Sequence, residues 1–138
     1  MKYRQLKLLT IFWITAIIFG SLSPVEVKRA IGTETESNSR VMQTRVAKFH
    51  LLMHAFTFGV GGLLLAAVSL TPRRRMMNCL ALFVLGWALE LLQYYVFGSE
   101  VLETGDICAD GVGIVIGLIV VRLSGFGSRA RREMLERA

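Results

Sequence analysis

Six polar residues interrupt otherwise apolar stretches of this chain: His50, His54, Glu90, Gln93, Asp106 and Asp110. Their types are those of acid–base and ligand-binding chemistry. An imidazole and a carboxylate held together can pass a proton near neutral pH. The same groups can donate lone pairs to zinc or iron. Their spacing organises them. His50, His54 and Phe58 recur every four residues and so share one face of a helix. Glu90 and Gln93 are three apart and share a face in the same way. Asp106 and Asp110 begin a stripe that continues through Gly113 and Gly117.

Each of these residues also has a plainer role open to it. His50 and His54, joined by Glu90 and Asp110, have the donor types of a metal site. However, His-x-x-x-His without the intervening Glu is not the metalloprotease motif. Polar groups inside membranes more often pair with one another, so no metal site is assigned and no cofactor is specified. A hydrogen bond between His54 and Glu90 is the simpler alternative. Glu90 could act as a general acid or base, or stay protonated and tie helices together. His54, Glu90 and Asp110 are the catalytic candidates; Gln93 reads as a positioning or packing group. Asp106 follows Gly105 and precedes a helix, where Thr104 or Asp106 could cap and a carboxylate suits the helix dipole. Asp110 lies one turn further in, beyond the reach of that explanation.

The elements that must position these residues are membrane spans. The chain has 138 residues, enough for one domain, and 54% of them are apolar. A soluble domain of this size could not hide so much apolar surface. The predicted fold is all-α, a four-helix transmembrane bundle with spans at about 6–22, 46–70, 76–97 and 107–123. The first span resembles a signal peptide, basic and then apolar with small residues at Ser21 and Ser23. Pro24 argues against cleavage there, so it is read as retained. Residues 23–45 read as a polar outer loop, although Val41 to Arg45 could begin a helix at the membrane surface. Thr71-Pro72-Arg73-Arg74-Arg75 reads as a tight basic turn, Glu100, Glu103 and Asp106 as an acidic loop, and residues 124–138 as a basic tail.

Charge sets the orientation. The net charge is +6, and most Lys and Arg lie beside apolar blocks, which suits anionic lipid headgroups and not nucleic acid. The positive-inside bias groups Lys2, Arg4 and Lys7 with Arg73–Arg75 and the arginines of the tail. Four spans put those segments on one side, with both ends in the cytoplasm and the acidic loop outside. Lys28, Arg29, Arg40, Arg45 and Lys48 are then outside, accompanied by Glu26, Glu34 and Glu36. Cys79 and Cys108 fall near opposite faces, too far apart for one disulfide. The six polar residues fall at one depth toward the outer leaflet. Ala109, Gly113 and Gly117 would let another helix approach closely. Together these features predict an outward-facing polar pocket between the second, third and fourth spans.

The stretch from about His50 to Gly117 resembles the VanZ-like family of small membrane proteins. His54, Phe58 and Gly62 fit that family's His, aromatic and Gly, and Glu90-Leu91-Leu92-Gln93 fits its Glu-x-x-Gln. Asp106, Gly113 and Gly117 fit the register that follows. The chain departs from the pattern in three places. An Asp-Lys before the His is missing, Glu100 stands near the place of an Arg, and Asp110 replaces an Asn. The family takes its name from a teicoplanin-resistance protein. The resemblance therefore implies a cell-envelope role in which His54, Glu90, Gln93 and Asp110 contact a glycan or lipid-linked ligand, supported by His50 and Asp106. Two other readings stand beside it. One is an accessory subunit, packed on a membrane protein partner or another copy through the glycine stripe. The other is a proton-coupled carrier.

Overall fold

The computed structural model describes residues 3–22, 40–96 and 104–125, with backbone alone for 40–47. These residues form four helices: α1 (Tyr3–Ser21), α2 (Arg40–Val68), α3 (Pro72–Val96) and α4 (Thr104–Ser124). The all-α bundle predicted from the long apolar stretches is present. Residues 23–39 of the expected outer loop, the loop bearing Glu100 and Glu103, and the basic tail with Arg129, Arg131, Arg132 and Arg137 lie outside the described residues.

Helix starts differ from the sequence reading, and the causes are local. The basic turn at Thr71–Arg75 is instead the first turn of α3. Thr71 caps it: its side-chain Oγ1 accepts from the Arg74 amide at 3.2 Å, and its carbonyl accepts from the Arg75 amide at 3.0 Å. Pro72 then sits at the first helical position, where its missing N–H costs nothing. Helix α2 starts at Arg40, so Val41–Arg45 is helical, as the sequence allows, and runs on into the apolar stretch without a break. Helix α4 starts at Thr104, which brings Asp106 into its first turn.

Three helical stretches are long and apolar enough to cross a membrane: Lys48–Val68, Pro72–Val96 and Thr104–Ser124. Helix α1 is not among them; it carries Arg4 and Lys7 in its first turns, with the Lys7 Nζ 4.6 Å from the centre of the Tyr3 ring. No more than a third of each spanning stretch is buried inside the protein. Large apolar side chains such as Phe49, Phe56, Leu80, Val84, Val115, Ile116 and Ile119 face outward. In water such a surface would drive association, whereas in lipid it is the solvated face. The bundle is therefore a membrane protein fold.

Helix α2 is the hub. Helix α1 runs antiparallel to it: Tyr3 Oη donates to the Val68 carbonyl at 3.2 Å, and Trp13 Nε1 donates to the Thr57 carbonyl at 3.0 Å. The first bond satisfies a carbonyl that the end of α2 leaves without a helical partner. Helix α3 returns along α2, and the Asn78 Nδ2 donates to Ser69 Oγ at 3.0 Å beside the turn. Helix α4 runs parallel to α2 in the closest packing of the bundle. A Cβ added at Gly113 would meet the Ala55 carbonyl oxygen and come within 2.9 Å of the Gly59 nitrogen. One added at Gly117 would meet the Gly59 oxygen and come within 2.7 Å of the Leu63 nitrogen. Small residues thus let two backbones touch, as lipid-embedded helices require in the absence of a strong hydrophobic drive. The glycine stripe of α4 is therefore consumed inside the chain and is not a surface for a partner subunit.

This packing gives the bundle two unlike ends. Arg4, Lys7, Arg73–Arg75 and Arg122 gather at one end; the histidines, Asp106 and Asp110 lie toward the other. Cys79 is buried near Gly62 and Cys108 is exposed in the first turns of α4, both as free thiols. The packing predicts that Gly113→Ala lowers thermal stability in detergent, by about 1–3 kcal/mol as for other overpacked contacts. Gly20→Ala is the control, since nothing lies within 4 Å of its added Cβ. Equal melting temperatures for both variants and the parent would refute the backbone contact.

Candidate functional site

The stripe on α2 and the stripe on α4 meet at the end opposite the arginines. Parallel packing with a fixed offset makes this pairing repeat. Asp106 lies beside His50 and His54, Asp110 beside His54, Gly113 beside Ala55 and Gly59, and Gly117 beside Gly59 and Leu63. His54 Nδ1 and Asp110 Oδ1 are 2.9 Å apart, the distance of a charge-assisted hydrogen bond. On the other edge of the same ring, His54 Nε2 lies 3.6 Å from Asp106 Oδ2. His50 Nδ1 is 3.4 Å from that same oxygen. One carboxylate oxygen is therefore shared between two imidazoles.

Burial separates the four residues. Asp110 is 1% exposed and Asp106 2% exposed, while the His50 side chain is 45% exposed. The cluster is thus sealed beneath and open through His50. The two rings stand 4.8 Å apart at 57°, and Phe58 stacks nearly parallel below His54 at 6.4 Å. Phe58 closes the apolar side of the site and is itself buried. Its ring packs against α3 at Gly86, where an added Cβ would come within 2.8 Å of both Phe58 and Asp110 Oδ2. Leu51 leans on Gly105 at the outer margin.

Helix α3 brings Glu90, which is buried one turn beyond Gly86. Gln93 is half-buried one turn beyond it on the same stripe. His54, Asp110 and Glu90 each lie six residues inside their apolar stretches, which begin or end at Lys48, Thr104 and Val96. At 1.5 Å per residue all three are about 9 Å in. The three residues therefore sit at matching positions along their helices. Helix packing chooses the partner: His54 Nδ1 goes to Asp110, whereas the simpler sequence reading paired His54 with Glu90. Asp106 turns its Oδ2 to the histidines from the first turn of α4.

Gly86 is the residue that sequence reasoning passed over. It lies four residues before Glu90, on the same face of α3, beside buried Leu82 and Leu89. A small residue on a stripe that also bears a buried carboxylate is the signal that marks close approach.

Chemically, the cluster can hold and relay a proton, accept polar groups of a ligand through His50, or bind a cation. Burial of Asp110 sets the energetic stakes. Removing one member of a buried pair typically costs about 3–5 kcal/mol, because a desolvated polar group is left behind. Replacing both with apolar groups of similar volume is often close to neutral. His54→Leu should therefore destabilise the bundle strongly, and His54→Leu combined with Asp110→Leu should recover most of the loss. Thermal unfolding of the single and double variants in detergent checks this; additive losses would mean that the two side chains do not interact. No family model, no curated protein and no solved structure matches the chain, and the reading of the site rests on its own geometry.

Proposed function

We propose that this chain is a VanZ-like integral membrane protein of the cell envelope that binds a glycan or lipid-linked envelope substrate at the cluster of His50, His54, Glu90, Gln93, Asp106 and Asp110. The observation that carries the reading is the burial of Asp110 at 1% exposure against His54, within helices long and apolar enough to cross a membrane. Ionisable groups in a bilayer cost at least about 2.5 kcal/mol each near a helix centre, and they recur where a ligand, ion or proton is handled. A purely structural tie between α2 and α4 would not need them, because the glycine contacts already join those helices. The exposed His50 gives the cluster a route outward. The spacing shared with the VanZ-like pattern adds the envelope context.

In this reading α1 is a fourth span, with Lys7 reaching the interface beside Tyr3. Both ends and the Arg73–Arg75 turn face the cytoplasm, and the histidine–aspartate cluster faces outward. The ligand's polar head lies among the histidines while its lipid tail stays in the surrounding bilayer. His54, Glu90 and Gln93 contact the head, and Asp110 orients His54. The accessory-subunit alternative loses the interface first expected for it, since Gly113 and Gly117 pack against α2. A proton-coupled carrier would use the same His54–Asp110 pair and would need oligomerisation.

Two experiments test the proposal. In a chain with Cys79 and Cys108 replaced by Ser, a membrane-impermeant maleimide added to intact cells should label Thr104→Cys. It should label Arg74→Cys only after permeabilisation. The reverse pattern would invert the topology. Native mass spectrometry from nanodiscs containing a polyprenyl-diphosphate-linked glycan should show the lipid bound to the parent chain. Binding should be lost in His54→Ala and in Glu90→Gln variants that remain inserted and helical. Undiminished binding in both variants would sink the site assignment.

A further inference from the structure

The shared oxygen of Asp106 points to a second property of this cluster. In His54, Nδ1 is engaged by Asp110 at 2.9 Å, so the proton of that bond lies between them. The other ring nitrogen, Nε2, faces Asp106 Oδ2 at 3.6 Å. That separation is too long for a hydrogen bond. It is close to the spacing of about 3.4 Å between two ligands of a tetrahedral ion with bonds of 2.0–2.1 Å. His50 Nδ1 stands 3.4 Å from the same Asp106 oxygen. All three donor atoms lie within 4.8 Å of one another.

We propose that His50 Nδ1, His54 Nε2 and Asp106 Oδ2 form a three-ligand site for a divalent transition-metal ion of the zinc class, with Asp110 orienting His54 from behind. Three features of the structure support this. Two imidazoles one turn apart on α2 and a carboxylate from α4 supply neutral nitrogen and anionic oxygen donors, the mixture zinc accepts. The bond from His54 Nδ1 to a carboxylate is the arrangement that fixes ring orientation and raises ligand basicity in metal-binding histidines. The open side lies at His50, whose side chain is 45% exposed, so an ion has an entry path and a fourth position for water or ligand. The His50 ring is the most exposed of the three donors; the other two come from largely buried side chains.

The donor set differs from the one suggested by residue type alone, which joined the histidines to Glu90 and Asp110. The α2–α4 register substitutes Asp106 as the direct ligand and moves Asp110 behind His54. The ion would clip the outer ends of α2 and α4 together, above the glycine contacts that already join them. It would also place a positive charge where the head of an anionic, phosphate-bearing ligand would sit. The inference rests on the reading of this cluster as a functional site, but it does not require that the ligand be a glycan.

The test uses the full chain, purified in detergent with any affinity tag removed. The protein is stripped with chelator and equilibrated with Zn2+, or with Co2+ as a spectroscopic substitute. Elemental analysis should give one zinc per chain. Cobalt should produce the strong visible bands of a four-coordinate site. His50→Gln and Asp106→Asn should each abolish stoichiometric binding with helical circular dichroism unchanged. His50 is exposed, so its replacement does not threaten folding. Asp110→Asn should weaken the affinity about 10–100-fold without abolishing it, as loss of an orienting partner does. Absence of bound metal from the parent chain, or full binding retained in His50→Gln/Asp106→Asn, would overturn the proposal. The lipid-binding measurement separates the two readings. A chain that binds the lipid-linked glycan but no metal removes this site and leaves the ligand reading intact. A chain that binds metal but no glycan does the reverse.

Discussion

The contact between the backbones of α2 and α4 is the constraint on which the remaining structure depends. Gly59 and Gly62 on one helix meet Gly113, Ile114 and Gly117 on the other so closely that added Cβ atoms would strike backbone. In lipid there is little gain from merely hiding apolar side chains, so helices associate where backbone can approach backbone. Such a contact tolerates little sliding. It fixes the register of two parallel helices, and the register carries along them to the end that bears the histidines. There it sets Asp110 opposite His54, and Asp106 between His54 and His50. Four titratable groups separated by more than fifty residues of sequence become neighbours because a few glycines lie one or two turns below them.

The other helices serve this pair. Helix α3 closes the side of the site with Gly86, whose missing side chain makes room for both the Asp110 carboxylate and the Phe58 ring. Glu90 and Gln93 extend the same stripe outward. Helix α1 braces α2 through Trp13 at Thr57 and through Tyr3 at Val68. At the opposite end, Thr71 and Pro72 turn the chain sharply and start α3 with a row of arginines. The molecule thus separates a basic end, which suits anionic lipid headgroups, from an end that gathers the histidines and aspartates. Asp110 gives His54 a carboxylate partner at 2.9 Å. With His50 and Asp106 it makes a compact group of imidazoles and carboxylates at that end of the bundle.

Much of this was legible in the sequence, for physical reasons. The bilayer demands long apolar helices, so the spans stood out by length and composition. The alternating direction of the helices grouped His54, Glu90 and Asp110 at one level, and His54 and Asp110 do meet. The glycine stripe announced a close helix contact. The partner of each polar group was not legible, because residues at equal depth on three helices compete and only packing decides. The sequence suggested Glu90 as the partner of His54, and the packing of α4 against α2 puts Asp110 on Nδ1 instead. Gly86 was hidden because a glycine in a span has several uses, and its role appears only when Asp110 lies against it. The start of α3 was misread because Thr-Pro followed by charge signals a turn as readily as a capped first turn. The intermolecular use of Gly113 and Gly117 failed for the same underlying reason: small residues mark an interface without saying whose.

The most direct measurement is of the His54–Asp110 contact in a lipid bilayer. Solid-state NMR recoupling between the imidazole 15N of His54 and the carboxyl 13C of Asp110, with His50→Gln removing overlap from the second ring, reads it without reference to any ligand. The expected result is a direct dipolar coupling consistent with the 2.9 Å approach of Nδ1 to Oδ1. An absence of coupling in a chain whose helices remain inserted and folded would show that α2 and α4 do not pack in this register.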